Sequence, residues 1–203
     1  PQQIYFLVAN KIRRMVYSKF PKLLKKRYDK RAEIQSFSSL QSLDFGPLDY
    51  QLHWGRTDRL SFGHPSDELQ FTFLKKSVNI KERIDWYPTD KSFLWTYNLH
   101  YFEYAYDLAI LYSSTKNTRY FDVFERLVSD WIENNPIATG IGWDPYPTSL
   151  RIVAWIKAYS HFSERFQNDE FKKDFLKSLY QQVIFLSKNI EYHLQNNHVI
   201  ENA

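Results

Sequence analysis

The sequence contains no cysteine, few glycines and no long hydrophobic run. Without cysteine, the chain has no disulfide, no thiol nucleophile and no thiolate metal site. Only 5 glycines among 203 residues argue against an all-β fold, which needs many tight turns. No apolar stretch is long enough to cross a membrane. The short apolar run at residues 4–9 precedes the basic residues, whereas a secretory signal peptide has the opposite order.

Aromatic side chains are abundant. They make up 18% of the residues, within an apolar content of 43%, so the chain can bury a substantial core and is not disordered. Core packing accounts for most of these rings. The alternative for some of them is a surface that stacks on sugar rings, because an aromatic face suits the apolar C–H face of a sugar.

Charge is concentrated at the start of the chain. Residues 1–31 contain ten Lys and Arg against the single acid Asp29, a net charge of +9, whereas the whole chain carries +4. Apolar residues are interleaved with these cations, which predicts a basic amphipathic helix. Such a helix either packs on the body with its polar face in water or contacts a membrane surface or another polyanion. Nucleic acid is not expected, since no recognition motif accompanies the charge.

The middle of the chain predicts irregular structure followed by a little sheet. Residues 34–69 hold several Gly and Pro breakers and read as a connecting layer. Residues 70–86 alternate briefly between apolar and polar side chains, which predicts a short strand or hairpin.

From residue 94 the apolar side chains recur at spacings of three and four, which is typical of amphipathic helices. Four groups show this spacing: Leu94, Tyr97, Tyr101, Tyr104, Leu108 and Leu111; Phe121, Phe124, Val128, Trp131 and Ile132; Ile152, Val153, Ile156 and Tyr159; and Phe175, Leu179, Val183, Leu186, Ile190 and Leu194. Thr148 is predicted to cap the third helix, and the fourth begins near Asp169. Short connections predict antiparallel helical hairpins.

The last nine residues are rich in polar groups. Asn196 or Asn197 could cap a new helix, on which His198 and Glu201 would lie three residues apart on one face. A helix start with an amide, an imidazole and a carboxyl group is suited to an acidic ligand. The sequence ends within this first turn, so we expect it to be a fragment of a longer protein.

Three motifs stand out: residues 94–104 (LWTYNLHYFEY), residues 142–152 (GWDPYPTSLRI) and residues 191–202, which end in NHVIEN. Together they resemble the N-terminal domain of the heparinase II/III family of polysaccharide lyases. Their order and spacing agree with the family, and the resemblance covers about residues 70–203. It implies a mainly α fold, an incomplete α/α toroid of helical hairpins. Residues 1–69 would form the basic helix and connecting layer, and the family's β-sandwich would be absent.

The resemblance also implies β-elimination of polysaccharides that contain uronic acid. Related lyases place residues matching Asn197, His198 and Glu201 at the uronate carboxylate, so these three are the catalytic candidates. The family's Tyr acid/base would lie beyond Ala203, and the fragment alone is therefore expected to be inactive. No cofactor is predicted. His193, His198 and Glu201 lack a recognised metal-ligand spacing, so no metal site is predicted either.

The first two motifs supply the candidates for substrate binding: Tyr97, Asn98, His100, Tyr101, Trp143, Tyr146 and Arg151. For the four on the first motif, a hydrogen-bonded helix interface is an equal alternative. Trp143 is the candidate for sugar stacking, because it lies in a proline-rich loop. Arg151 could bind a substrate carboxylate through two hydrogen bonds, or it could pair with Asp144 or another internal acid.

Two further function classes remain open. A glycoside hydrolase on a helical toroid could use paired carboxylates such as Asp144 and Glu201. A non-catalytic helical module could bind acidic glycan or a membrane surface. The expected substrate partner is an acidic polysaccharide, and the expected location, from the resemblance, is the periplasm or cell envelope.

Overall fold

The computed structural model describes residues 15–17, 19–34, 59–62, 68–80, 83–167 and 169–189. Its elements in chain order are α1 (Pro21–Ile34), β1 (Leu60–Phe62), β2 (Leu69–Phe73), β3 (Lys76–Ile80), α2 (Phe93–Tyr101), α3 (Glu103–Thr115), α4 (Arg119–Asn134), α5 (Pro145–Phe162) and α6 (Asp169–Asn189). Short 3-10 turns at Ile141–Trp143 and Ser163–Arg165 flank α5. The described part of the chain is mainly helical, as predicted.

The small sheet has three antiparallel strands in the order β1-β2-β3. The predicted hairpin is confirmed as β2 and β3, but β1 lies within the stretch predicted to be irregular. Residues 83–86 follow the sheet without joining it. Leu69, Phe71 and Phe73 alternate towards the core. Phe73 packs edge-on against Trp95, and Phe71 against Tyr104, so the sheet covers the helices that carry the first motif.

The helix predicted from residue 94 is two helices. Phe102 separates α2 from α3 in the left-handed conformation, with a φ of 59°. A bulky residue rarely adopts this conformation, which costs of the order of 1 kcal/mol or more. Its ring is fully buried and stacks 5.6 Å from Trp86, so core packing holds the chain in this bend.

Helices α3, α4, α5 and α6 share one aromatic core. α5 packs along α3 and also contacts α2 and α6, while α4 contacts α3 and α6. Trp131 on α4 and Trp155 on α5 meet edge-on with centroids 5.7 Å apart, and both are fully buried. Most rings of the chain are therefore packing residues, as the composition predicted.

The third helix begins earlier than predicted. Asp144 precedes its first residue and Pro145 occupies the first position, so the proposed cap at Thr148 is wrong. Proline fits a first helical position because its fixed φ is already helical and an N–H there would have no partner within the helix. Residues that look like a proline-rich loop thus form the first turn of α5. Thr148 is fully buried in that turn.

Helix α1 packs on α6, which supports the first interpretation of the basic segment as a helix docked on the body. Leu24 and Tyr28 are buried in this contact. None of the described helices combines the length and the apolar character needed to span a membrane.

Candidate functional site

The structure divides the predicted substrate-binding residues into two groups. His100, Trp143 and Arg151 lie together in the core and are called here the buried cluster. Tyr97, Tyr101 and Tyr146 lie side by side nearer the surface. Asn98 is half-buried beside them on α2.

His100 is fully buried, and both of its ring nitrogens have partners. Nε2 lies 3.0 Å from the carbonyl oxygen of Trp86, and Nδ1 lies 3.1 Å from the indole Nε1 of Trp131. Because an indole can only donate, Nδ1 accepts, and the ring proton lies on Nε2. Burial, followed by the charge of Arg151, lowers the pKa of His100 to about 3, so the ring is neutral at pH 7.

Arg151 is fully buried on α5 and connects three segments of the chain. Its Nε donates to Oε1 of Gln182 at 2.8 Å, and its Nη1 donates to the carbonyl oxygens of His100 at 3.1 Å and Gly142 at 2.8 Å. The guanidinium lies 3.9 Å from the ring centre of Trp131. Burial lowers the pKa of Arg151 to about 9, so it keeps its positive charge at pH 7.

Among the alternatives that the sequence leaves open for Arg151, the pairing with Asp144 is not found in the described residues. The Asp144 carboxylate instead accepts a 2.5 Å hydrogen bond from the Tyr97 hydroxyl. Within the described residues, the partners of Arg151 are neutral oxygens and the rings of Trp131 and Trp143. They satisfy its donors inside the protein, in a core with no solvent access.

Trp143 is also a core residue in this structure. Its indole N–H donates to the carbonyl oxygen of Asn135 at 3.1 Å, and its ring contacts Trp131 and Phe185. It is 3% exposed, so neither face is open for a sugar ring. One edge of Trp143 borders a cavity of about 220 Å³ between α1, α4 and α6.

Gly142, at the start of the second motif, packs directly against His100. A Cβ at this position would lie 2.5 Å from the Nδ1 atom of His100, which is closer than real Cβ atoms approach. The first and second motifs therefore meet inside the core, where a glycine leaves room for the imidazole.

The surface group forms a row of four rings, called here the aromatic row: Phe93, Tyr97, Tyr101 and Tyr146. The first three lie four residues apart on α2, and their successive centroids are 4.3 and 6.1 Å apart. Tyr146 on α5 meets Tyr101 edge-on at 5.7 Å. Phe93 is 60% exposed, Tyr97 and Tyr146 are half-buried and Tyr101 is 8% exposed.

The aromatic row carries polar groups on its edges. Burial, followed by the neighbouring Tyr146 and Glu103, raises the pKa of Tyr101, so its hydroxyl remains a donor at neutral pH. None of the described residues accepts a hydrogen bond from that hydroxyl. Asn98 donates its amide to the carbonyl of Leu94 at 2.7 Å, which leaves its side-chain oxygen as the available acceptor.

Sequence reasoning missed Phe93 as a member of the row. Its spacing of four residues from Tyr97 was a usable signal, because residues four apart on a helix are neighbours on one face. The catalytic candidates Asn197, His198 and Glu201 lie outside the described residues. The proposed cleft that joins them to Trp143 and Tyr146 therefore remains a prediction.

The comparison with protein families identifies the relatives of the chain. The family model described as Heparinase II/III N-terminus matches residues 61–203. The chain belongs to this family. No curated protein and no solved structure matches the chain significantly. The resemblance read from the three motifs is thereby confirmed, and the domain is related to those of polysaccharide lyases.

Proposed function

We propose that the chain is the N-terminal part of a lyase that cleaves a uronic-acid-containing polysaccharide by β-elimination. The family match over residues 61–203 is the observation that carries the proposal. In this proposal the helical hairpins form part of an α/α toroid, and the complete protein works in the periplasm or cell envelope.

The aromatic row is the proposed part of the substrate-binding surface. Its rings offer flat apolar faces to the C–H faces of sugars, and the Tyr101 hydroxyl can donate to a sugar oxygen. Asp144 beside Tyr97 can accept from sugar hydroxyls, but a carboxylate would repel a uronate group. We therefore assign the row to the neutral faces and hydroxyls of the glycan.

Elimination requires three tasks at the uronate. Its carboxylate must be neutralised so that the proton at C5 becomes acidic, a base must remove that proton, and an acid must protonate the leaving glycosidic oxygen. We propose that Asn197, His198 and Glu201 perform the first task, because amide, imidazole and protonated carboxyl groups can donate to a carboxylate. No residue of the chain is assigned as the base or the acid.

The buried cluster has a positioning role in this proposal. Arg151 on α5 donates to the backbone of His100 on α2, and α2 and α5 are the helices that carry the aromatic row. A fixed arrangement of the two helices keeps Tyr101 and Tyr146 in one surface. His100, Trp143 and Arg151 would then affect the substrate through these neighbours.

The test uses the full-length gene product and uronate polymers as substrates. β-Elimination leaves a conjugated double bond that absorbs ultraviolet light, whereas hydrolysis yields reducing ends without this absorbance. Asn197→Ala and His198→Ala should each lower kcat about a hundredfold with a smaller effect on KM, because the stabilised charge develops in the transition state. Tyr180→Ala, a half-buried tyrosine outside the row, is the control.

Three results would contradict the proposal. Reducing ends without ultraviolet absorbance would identify a hydrolase. Glycan binding without any product would identify a binding module. Normal turnover by both variants, combined with lowered melting temperatures, would make Asn197 and His198 structural residues.

A further inference from the structure

Helix α1 has an inner face that is fixed to the protein. Leu24 and Tyr28 are buried against the body. Asp29 accepts hydrogen bonds from the Lys177 ammonium and the Gln181 amide of α6, both at 2.9 Å. These contacts hold the helix in one orientation on α6.

The outer side of this segment exposes large apolar side chains. Val16, Phe20 and Leu23 are 43%, 52% and 66% exposed. The N–H of Phe20 donates to the carbonyl of Val16, and the N–H of Leu24 to that of Phe20, so helical bonding continues across the start of α1. Residues spaced by four and three are neighbours on a helix surface, so the three side chains form a single stripe. Leu24 follows Phe20 by four residues and is buried, so this exposed stripe borders the inner face of the helix.

The same segment is rich in exposed cations, of which Lys25 also lines the cavity between α1, α4 and α6. The exposed basic residues of the segment are Lys19, Lys22, Lys25, Lys26, Arg27 and Lys30. Asp29 is the one acid within residues 15–17 and 19–30, and it is turned towards α6. The outer face therefore combines an apolar stripe with an excess of positive charge.

We infer that this face docks on an anionic lipid surface, with α1 lying along the plane of the membrane. Helices of this type insert apolar side chains at the headgroup boundary while their lysines and arginines contact acidic headgroups. A soluble polyanion would attract the cations but would offer no apolar phase to Phe20 and Leu23. The stripe therefore favours a bilayer over a dissolved polysaccharide. This inference is independent of the proposed lyase activity.

The test is co-sedimentation of the chain with vesicles. Vesicles that mix phosphatidylglycerol with phosphatidylcholine should bind the chain, and pure phosphatidylcholine vesicles should bind it far more weakly. Lys22→Gln combined with Lys26→Gln should lower the partition coefficient about 25-fold, at about fivefold per cation. Phe20→Ser combined with Leu23→Ser should lower it about tenfold or more, and raised salt should weaken binding.

Matched variants on α6 serve as controls. Lys172→Gln combined with Lys173→Gln removes the same charge, and Val183→Ser removes an apolar side chain that is 43% exposed, so neither should change partitioning by more than about twofold. Equal losses in the α6 variants would show non-specific charge attraction and overturn the inference. Failure to bind anionic vesicles would also overturn it. So would unchanged binding by the Phe20/Leu23 variant, because a polyanion site would behave in that way.

Discussion

His100 and Tyr101 are adjacent in the chain, yet their polar groups face different surroundings. Both ring nitrogens of His100 bond to protein partners, and the residue has no contact with solvent. The hydroxyl of Tyr101 has no acceptor among the described residues and lies beside Tyr97 and Tyr146 in the aromatic row. Arg151 and Tyr146, five residues apart on α5, differ in burial, since Arg151 is fully buried and Tyr146 is half-buried.

The buried cluster and the aromatic row differ in whether their polar groups and ring faces are already occupied by protein contacts. A buried polar residue whose donors and acceptors are satisfied internally cannot bind a ligand without first losing those bonds, which costs about 1–3 kcal/mol for each group left unpaired. In the aromatic row, Phe93 is exposed, Tyr97 and Tyr146 are half-buried, and the Tyr101 hydroxyl has no acceptor among the described residues. Variants of the buried cluster should therefore change stability, and variants of the row should change binding.

The largest effect is expected from Arg151→Met. It removes the donor to the Gln182 side chain and to the carbonyls of His100 and Gly142, which become unpaired in the core. The free energy of unfolding should fall by about 4 kcal/mol, as measured by urea denaturation. Arg151→Lys retains the positive charge, so its free energy of unfolding should fall less than that of Arg151→Met. A loss of less than about 1 kcal/mol in the free energy of unfolding, together with weakened glycan binding, would show that Arg151 binds the glycan directly.

The next effect is a pH dependence that originates in His100. The pKa of His100 is about 3 in the folded protein and about 6.5 in the unfolded chain. At pH values between these two pKa values, the unfolded chain therefore binds one proton more than the folded protein. The contribution of His100 to the free energy of unfolding is fully present above pH 6.5. It falls by about 1.4 kcal/mol for each pH unit as the pH is lowered towards the folded pKa. Urea denaturation between pH 7 and 4.5 should show this slope in the wild type.

His100→Asn is the matched variant for the pH experiment. It should be less stable at pH 7, because it does not reproduce both hydrogen bonds of the ring, but it should lack the His100 part of the slope. Parallel pH profiles for wild type and variant would mean that His100 is protonated or open to solvent in the folded state.

Long elements with regular spacing could be predicted from the sequence. The helices around Phe124 and Phe175 and the hairpin containing Phe71 and Phe73 follow directly from their apolar periods. The bend at Phe102 could not be predicted, since nothing local marks a phenylalanine for positive φ and only the surrounding core imposes it. Pro145 was read as a loop residue, although proline is equally suited to the first turn of a helix.

The candidate site was predictable as a set of residues but not as an arrangement. The motifs contain both His100 and Tyr101, and residue type alone does not separate a packed histidine from a tyrosine whose hydroxyl has no acceptor in the described part of the chain. The separation depends on contacts between distant segments, such as Arg151 with the His100 carbonyl, which spacing along the chain does not determine.

The smallest stability effects, and the sharpest test of the comparison, are expected in the aromatic row. Tyr101→Phe removes only the hydroxyl, which has no acceptor among the described residues. The free energy of unfolding should therefore change by less than about 0.5 kcal/mol. Tyr146→Ala removes a half-buried ring and should lower the free energy of unfolding by about 1 kcal/mol.

Calorimetric titration with uronate oligosaccharides should nevertheless show that both variants bind more weakly. The affinity should fall about fivefold for Tyr101→Phe, through a lost hydrogen bond, and about tenfold for Tyr146→Ala, through a lost stacking face. Tyr180→Ala on α6 should leave affinity unchanged. If the row variants bind normally while Arg151→Lys binds weakly at a temperature where it is folded, the assignment of the two groups is reversed.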